Sequence, residues 1–347
     1  MGRVYLDHNA TVPLRSEARA AMLAAMDLAG NPSSVHAEGR AARALVEKAR
    51  AQVAQALGAD GADVVFTSGA TEAAALALAG RGLVCGAVEH DAVLAWSAAD
   101  LAVEPSGRVV VGDPARAAVQ LANSETGLVQ DLPQGLAVSD LTQGFGKLPL
   151  AFNWLGVQMA LVSAHKLGGP KGVGALVLRR GTELAARIRG GGQEMGRRAG
   201  TENLIGIAGF GAAAEAVARD LAAGLWDAVA VRRDAMEAGL LALVPEAVIV
   251  GRGAARLPNT TCLMLPGWKG ETQVMQMDLA GFAISAGSAC SSGKVRASRV
   301  LRAMGYDDLA ASSAIRVSIG LQTTEDQVLR FAECWAALWQ RQRSRAA

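Results

Sequence analysis

Ser163-Ala164-His165-Lys166 closes a short apolar run and is followed, after Leu167, by Gly168-Gly169-Pro170-Lys171-Gly172-Val173-Gly174. Met159-Ala160-Leu161-Val162 reads as a buried strand and Gly174-Ala175-Leu176-Val177-Leu178 as the next. A hydroxyl, an imidazole and an amine therefore share a polar, Gly-rich turn between strands. A lysine held near strand ends in low dielectric loses proton affinity and can become a nucleophilic amine for a Schiff base. Pyridoxal phosphate needs such a lysine, together with an acid for its pyridine nitrogen and donors for its phosphate. A solvated surface loop would carry the same residues, so the rest of the chain decides.

Ser68-Gly69-Ala70-Thr71-Glu72 lies between a strand and a helix start. Backbone N–H groups at Ala70 and Thr71, the Thr71 hydroxyl and the positive helix end make a natural phosphate seat, although Ser and Thr also cap helices routinely. Asp140 ends the apolar run 136–139, with Gln143 three residues on. A carboxylate at the C-terminal end of a strand points into the ligand crevice of an open α/β sheet, where it would keep a pyridine nitrogen protonated. It would serve equally as an N-cap. His90 could stack on a cofactor ring, shuttle protons or stand as a surface histidine. Asn123, at another strand end, could meet a cofactor or substrate oxygen or shape a turn.

Cys290 sits in Ser285-Ala286-Gly287-Ser288-Ala289-Cys290-Ser291-Ser292-Gly293, small and polar residues after a strand. A thiol exposed on such a loop is a strong nucleophile once a neighbour removes its proton, though an incidental surface cysteine would look the same. Cys85, Cys262 and Cys334 lie in apolar segments and read as core thiols. Arg316 is a charge inside the apolar run Ala314-Ile315-Arg316-Val317-Ser318. Its burial requires an anionic partner, and a substrate carboxylate gripped by two N–H groups would serve.

The elements that must position these groups alternate between strand-like and helix-like, which makes the fold α/β. Helices are predicted over 16–28, from 33 or 34 to 57, and over roughly 205–223. Strands are predicted at 64–66, 83–88, 109–111, 119–122, 136–139, 159–162 and 175–178. From about residue 228 the pattern becomes helix, strands 247–250 and 260–265, helix 271–279, strand 282–285, helix, strand 315–319 and helix. A large doubly wound domain over 15–227 and a smaller α+β domain from 1–14 with 228–347 are expected.

A chain of 347 residues can build cores of that size. Its 34 basic and 32 acidic residues leave no net field to favour nucleic acid. The cysteines lack zinc-like spacing, so no metal site is expected, and few scattered thiols fit a reducing cytosol. The first residues lack a signal peptide's apolar core, and no apolar run reaches spanning length, so no membrane association is expected. The expected location is the cytoplasm.

Taken in order and over nearly the whole chain, these segments resemble the NifS/IscS-like cysteine desulfurases of the class V aminotransferase family. The resemblance is carried by Tyr5-Leu6-Asp7-His8-Asn9-Ala10-Thr11, Gly30-Asn31-Pro32-Ser33-Ser34-Val35-His36, Phe66-Thr67-Ser68-Gly69-Ala70-Thr71-Glu72, Glu89-His90, Asn123, Asp140 with Gln143, Ser163-Ala164-His165-Lys166, Arg197-Arg198-Ala199-Gly200-Thr201-Glu202-Asn203, Gly287-Ser288-Ala289-Cys290-Ser291-Ser292 and Ile315-Arg316-Val317-Ser318. It implies the pyridoxal-phosphate-dependent transferase fold (fold type I) with a mixed large sheet, and a homodimer. Lys166 then matches the coenzyme-linked lysine, Asp140 the partner of the pyridine nitrogen, Gln143 the neighbour of the ring hydroxyl and His90 the stacking proton shuttle. Ala70, Thr71, Ser163 and His165 match the phosphate seat, with Thr201 reaching in from the neighbouring subunit. Asn123 and Arg316 match groups that hold substrate. The implied reaction converts L-cysteine to L-alanine, with sulfur passing to Cys290 as a persulfide and on to an acceptor such as an iron–sulfur scaffold protein.

Two features depart from that pattern. The connections from His90 to Asn123 and from Asn123 to Asp140 are short, so flanking helices are expected to be trimmed. Leu141 stands where the family has alanine beside the pyridine-binding aspartate, and a bulkier side chain there would crowd the ring. Selenocysteine lyase or a related β-elimination enzyme is one alternative. A trimmed non-catalytic paralogue acting as an assembly partner is another. A nicotinamide dehydrogenase is disfavoured, because the glycines form no well-placed GxGxxG.

Overall fold

The structure is a computed structural model and describes residues 2–287 and 297–346. After a short strand β1 (Val4–Tyr5), the main sheet is built from β2 (Asp63–Thr67), β3 (Val84–Gly86), β4 (Ala98–Leu101), β5 (Ala117–Ala118), β6 (Leu136–Asp140), β7 (Val157–Ser163) and β8 (Gly174–Leu178). Their spatial order is β2-β8-β7-β6-β5-β3-β4. Only β8 opposes its neighbours, so this mixed sheet brings the C-terminal ends of β2, β3, β6 and β7 to one edge. β7 is buried at every position but Gln158, as befits a strand covered on both faces.

Helices α1 (Ser16–Met26), α2 (Ala37–Ala56), α3 (Ala70–Leu78), α4 (Asp91–Leu94) and α5 (Leu204–Ala222) accompany this sheet. Ala42, Val46, Ala49 and Val53 form the buried face of α2, at the three- and four-residue spacing of an amphipathic helix. Glycines in α5 allow close approach. A Cβ on Gly209 would stand 2.7 Å from Met22 Cγ, and one on Gly211 2.7 Å from Ala49 Cα.

Beyond α6 (Leu225–Leu243) a second sheet forms from β9 (Val248–Ile249), β10 (Thr260–Met264), β12 (Ser285–Ala286) and β13 (Ile315–Ser318), in the order β12-β13-β10-β9, while β11 (Phe282–Ala283) pairs with β1. It is accompanied by α7 (Gly270–Leu279), α8 (Arg299–Ala303), α9 (Asp308–Ser312) and α10 (Glu325–Ala346). Val4 and Leu6 pack with Val229, Leu240, Trp268 and Trp335 in a core separate from that of the main sheet. The first residues of the chain thus pack with its last third.

Several predicted elements differ in detail. His36, not Ser33 or Ser34, caps α2, its Nδ1 accepting from Gly39 N–H at 3.3 Å. The run 109–111 forms only a bridge from Val109 to Val103, and β4 stands where no strand was predicted. The run 282–285 divides into β11 and β12, which join different sheets. Between β3 and β5 the only α-helix is the four-residue α4, and among the described residues none lies between β5 and β6. Leu141 is fully buried in the main core with Phe145 and Val162, so its bulk is taken up in packing.

Candidate active site

β7 delivers Ser163 to the sheet edge, and one tight 3-10 turn, Ala164–Lys166, carries the chain onward. Lys166 Nζ donates to the carbonyls of Asn9 at 2.7 Å and Ala10 at 2.9 Å. The N-terminal segment lies along this turn, with Val12 N–H donating to His165 O and Arg15 N–H to Gly168 O, both at 2.9 Å. His165 Nδ1 lies 3.2 Å from Thr11 Oγ1. Burial, then the charges of Lys166, Lys171 and Lys147, push its imidazole down to about 4. It is therefore neutral near pH 7, with a ring nitrogen left to donate.

At the end of β2, Ser68 N–H donates to Glu72 Oε2 at 2.8 Å, and Arg198 holds the same carboxylate at 2.9 Å. Gly69 is the N-cap of α3 and brings no side-chain cap, so the first-turn N–H groups at Ala70 and Thr71 are open to an anion. The Ser163 hydroxyl, 3.9 Å from where a Gly69 Cβ would stand, has no hydrogen-bond partner among the described residues. Thr71 is exposed beside them. Thr201 is exposed two residues before Asn203, the N-cap of α5, and makes no hydrogen bond to this seat among the described residues.

Asp140, half-buried, is the last residue of β6 and pairs in register with Leu161 of β7. Its Oδ1 accepts from Thr142 N–H at 2.9 Å. Gln143 is buried, and its Nε2 donates to Asn9 O at 3.0 Å. Glu89, fully buried, accepts from Gln120 N–H at 2.8 Å through Oε1, while its Oε2 has no partner. Burial first, then the charge of Asp140, raises its carboxyl well above the usual carboxylate range. His90 is exposed and caps α4, its Nδ1 accepting from Ala92 N–H at 3.1 Å. That bond places the proton of a neutral ring on Nε2.

Two of the candidate substrate-holding residues have partners within the chain. The anionic partner of buried Arg316 is Asp7, at 2.7 Å, while a second N–H goes to Ser124 O at 3.1 Å and Nε has no partner. The burial of this arginine thus needs no substrate to explain it. Asn123 serves the turn: its Oδ1 accepts from Glu125 N–H, Thr126 N–H and Thr126 Oγ1, and its Nδ2 donates to Val88 O at 3.0 Å. Cys290 lies outside the described residues. Of the segment's flanks, Ser298 Oγ donates to Glu125 Oε2 at 2.6 Å, and a Cβ on Gly287 would stand 3.0 Å from the same oxygen.

Lys147, His8, Asn9 and Asp7 were not singled out as individual site residues. Lys147 Nζ donates to Gln143 Oε1 at 2.8 Å and to Gln143 O at 3.1 Å. The available signal was a charge within the apolar stretch Phe145 to Leu150, the same signal that marked Arg316. His8 joins Lys147 and Lys166 in lining a cavity of about 600 Å³. Asp140, Ser163 and Thr71 do not line it.

The donor set fits pyridoxal phosphate. An anion seat beside an unpartnered hydroxyl, a carboxylate ending one strand and an amine ending the next are the three things that coenzyme requires. A family profile described as Aminotransferase class-V matches residues 4–331. A cysteine desulfurase of Cereibacter sphaeroides is 40% identical, over 96% of this chain and 95% of the relative. The cysteine desulfurase NifS of Azotobacter vinelandii is 36% identical, over 95% and 91%. The crystal structure of a NifS-like protein from Rickettsia africae superposes with a TM-score of 0.88 at 30% identity, covering 97% of this chain and 99% of that one.

Proposed function

The chain belongs to the class-V aminotransferase family and is a pyridoxal-phosphate-dependent cysteine desulfurase, and from that premise we infer that Lys166 is the amine that carries the coenzyme and moves the substrate's Cα proton. The observation that carries this reading is the position of Lys166 at the end of β7, next to the strand that ends in Asp140 and behind the seat made by Ser163 and α3.

Bound pyridoxal phosphate supplies an electron sink that makes the substrate's Cβ–S bond breakable. Its phosphate would be held by Ser163, His165, Thr71 and the N–H groups of Ala70 and Thr71, with Thr201 of a second copy completing the seat. Asp140 would keep the ring nitrogen protonated, and Gln143 and His90 would hold the ring. Lys166 takes the proton from Cα and returns it later, for which its Asn9 and Ala10 contacts hold it ready. His90 would pass a proton to the departing product. Arg316 would offer the substrate carboxylate the N–H groups that Asp7 and Ser124 leave unused.

Cys290, as a thiolate, attacks the sulfur of L-cysteine. A new S–S bond forms, the Cβ–S bond breaks with its electron pair going to the substrate carbon, and protonation there gives L-alanine. The persulfide sulfur then passes to an acceptor thiol of an iron–sulfur scaffold or another sulfur-assembly protein. We assign residues 15–227 to the coenzyme-bearing domain and 1–14 with 228–347 to the smaller one, supported by the two sheets and the separate core around Trp268. The working form proposed is a cytoplasmic homodimer. No described helix is long and apolar enough to cross a membrane.

Incubation with L-cysteine, with alanine and protein-bound persulfide measured separately, tests this. Lys166→Ala is expected to abolish both products, and Cys290→Ala to abolish persulfide transfer and most turnover. Alanine formation persisting in Lys166→Ala would refute the assigned lysine. Undiminished sulfide release in Cys290→Ala would instead indicate simple β-elimination.

A further inference from the structure

A second amine belongs to this site. Lys147 is 3% exposed, and among the described residues no carboxylate pairs with it. An unpaired buried ammonium is costly, so an apolar side chain would stabilise the position better if packing were its only task. Its Nζ donates to Gln143 Oε1 at 2.8 Å, Gln143 Nε2 donates to Asn9 O at 3.0 Å, and the same oxygen accepts from Lys166 Nζ at 2.7 Å. The two lysines are thus joined through one amide and one carbonyl. Flipping that amide would set its NH₂ against the Lys147 amine and its oxygen against the Asn9 carbonyl, so Lys147 permits a single orientation.

The surrounding charges reinforce this. His8 faces Lys147 from the N-terminal segment, Lys166 and His165 from the turn after β7, and Arg316, paired with Asp7, from β13. Burial, followed by the charges of Lys166 and Arg316, pushes the Lys147 amine down to about 7. Two such amines lose their first proton as a pair, and a cationic neighbour increases the neutral, nucleophilic fraction of a lysine.

We propose that Lys147 is a positioning residue for the reactive lysine: it locks the Gln143 amide against Asn9, and while it is protonated its like charge disfavours the protonated form of Lys166. This rests on the reading of Lys166 as the coenzyme-linked amine.

The test follows the absorbance of the lysine-bound coenzyme against pH in the full-length holoenzyme. In parallel, the rate at which an amine-acylating reagent labels Lys166 in coenzyme-free protein is measured by peptide mass mapping. Lys147→Met removes charge and donor, Lys147→Gln keeps a donor, and Lys147→Arg keeps both. For Met and Gln the absorbance midpoint is expected to rise by about one pH unit, with labelling at neutral pH slowed about tenfold, while Arg stays within about twofold of the parent. Unchanged titration and labelling in Gln, or an Arg variant slowed as much as Gln, overturns the proposal. Should the Met variant not fold, the contrast between Gln and Arg is decisive without it. Labelling needs no turnover, so this outcome is separable from alanine formation by Lys166→Ala, which tests the underlying assignment.

Discussion

The carboxylate of Asp7 and the guanidinium of Arg316 meet at 2.7 Å although 309 positions of chain separate them. Asp7 takes a second donor from Ser285 Oγ at 2.8 Å, and Arg316 gives another N–H to Ser124 O. One ion pair therefore ties the N-terminal segment, the start of β12, β13 and the turn after Asn123 together beside the candidate site. Removing one member of a largely buried pair strands the other charge. Asp7→Asn is expected to lower the unfolding free energy by about 2–3 kcal/mol, measured by urea denaturation. A change below about 0.5 kcal/mol, the scale of an exposed pair, would mean that solvent already screens it.

Ser163→Ala should act on the coenzyme and leave the fold intact. The hydroxyl has no partner among the described residues, so its loss strands nothing in the protein. A hydrogen bond to a charged phosphate contributes about 1.5–3 kcal/mol, which corresponds to roughly tenfold to hundredfold weaker retention of pyridoxal phosphate. Equilibrium dialysis reads this directly. Retention equal to the parent would remove Ser163 from the phosphate seat.

The sheet edge was legible because β2, β6 and β7 are apolar runs that stop at polar, Gly-containing turns, and that pattern needs no tertiary information. Ser68, Asp140 and Lys166 follow from it. The partners of these groups were not legible in the same way. Asp7 and Asn9 reach the site from a segment whose only local signal is its mixture of polar residues, and Lys147 acts through Gln143 and a backbone carbonyl. β4 was missed because Ala98–Leu101 is exposed along most of its length, leaving no alternation to read. Asn123 illustrates the limit: residue type and place suggested either a ligand contact or a turn, and the three donors converging on its oxygen, which show the turn, come from the fold and not from the local sequence.

Glu125 should make stability fall as the solution becomes more basic. Burial, opposed by the Ser298 hydrogen bond and by Arg316 and Arg299, leaves its carboxyl raised to about 7 from 4.5. In the unfolded chain the group ionises near 4.5, so the native state binds the extra proton between those values. Unfolding free energy therefore declines from about pH 4.5 to 7 and is flat above, by up to roughly 3 kcal/mol from this group. Glu125→Gln keeps an acceptor for Ser298 and should be the more stable protein at pH 8 but not at pH 4.5. Parallel denaturation curves for the two proteins at both pH values would show the carboxylate to be solvated.

His8 predicts the opposite slope on the acid side. Burial first, then the charge of Lys147, pushes its imidazole from 6.5 down to about 4. The ring lies so close to Gly320 that a Cβ there would stand 2.1 Å from His8 Cε1, so it has little room to turn outward and recover solvent. The unfolded chain takes up the His8 proton below pH 6.5, whereas the native state resists until about 4. Stability is thus full above 6.5 and is lost as pH falls toward 4, by about 2–3 kcal/mol from this residue. His165, depressed in the same direction but more exposed, adds a smaller loss over the same window. His8→Gln should flatten part of the acid limb of a stability-against-pH curve while leaving stability at pH 8 within about 1 kcal/mol of the parent. Because Lys147 contributes to the depression, Lys147→Met should move the His8 imidazole back toward 6.5, an effect visible in the histidine ring resonances during an NMR titration. A His8 resonance that titrates near 6.5 in the unmodified protein would show that the ring is solvated and that neither Gly320 nor Lys147 constrains it.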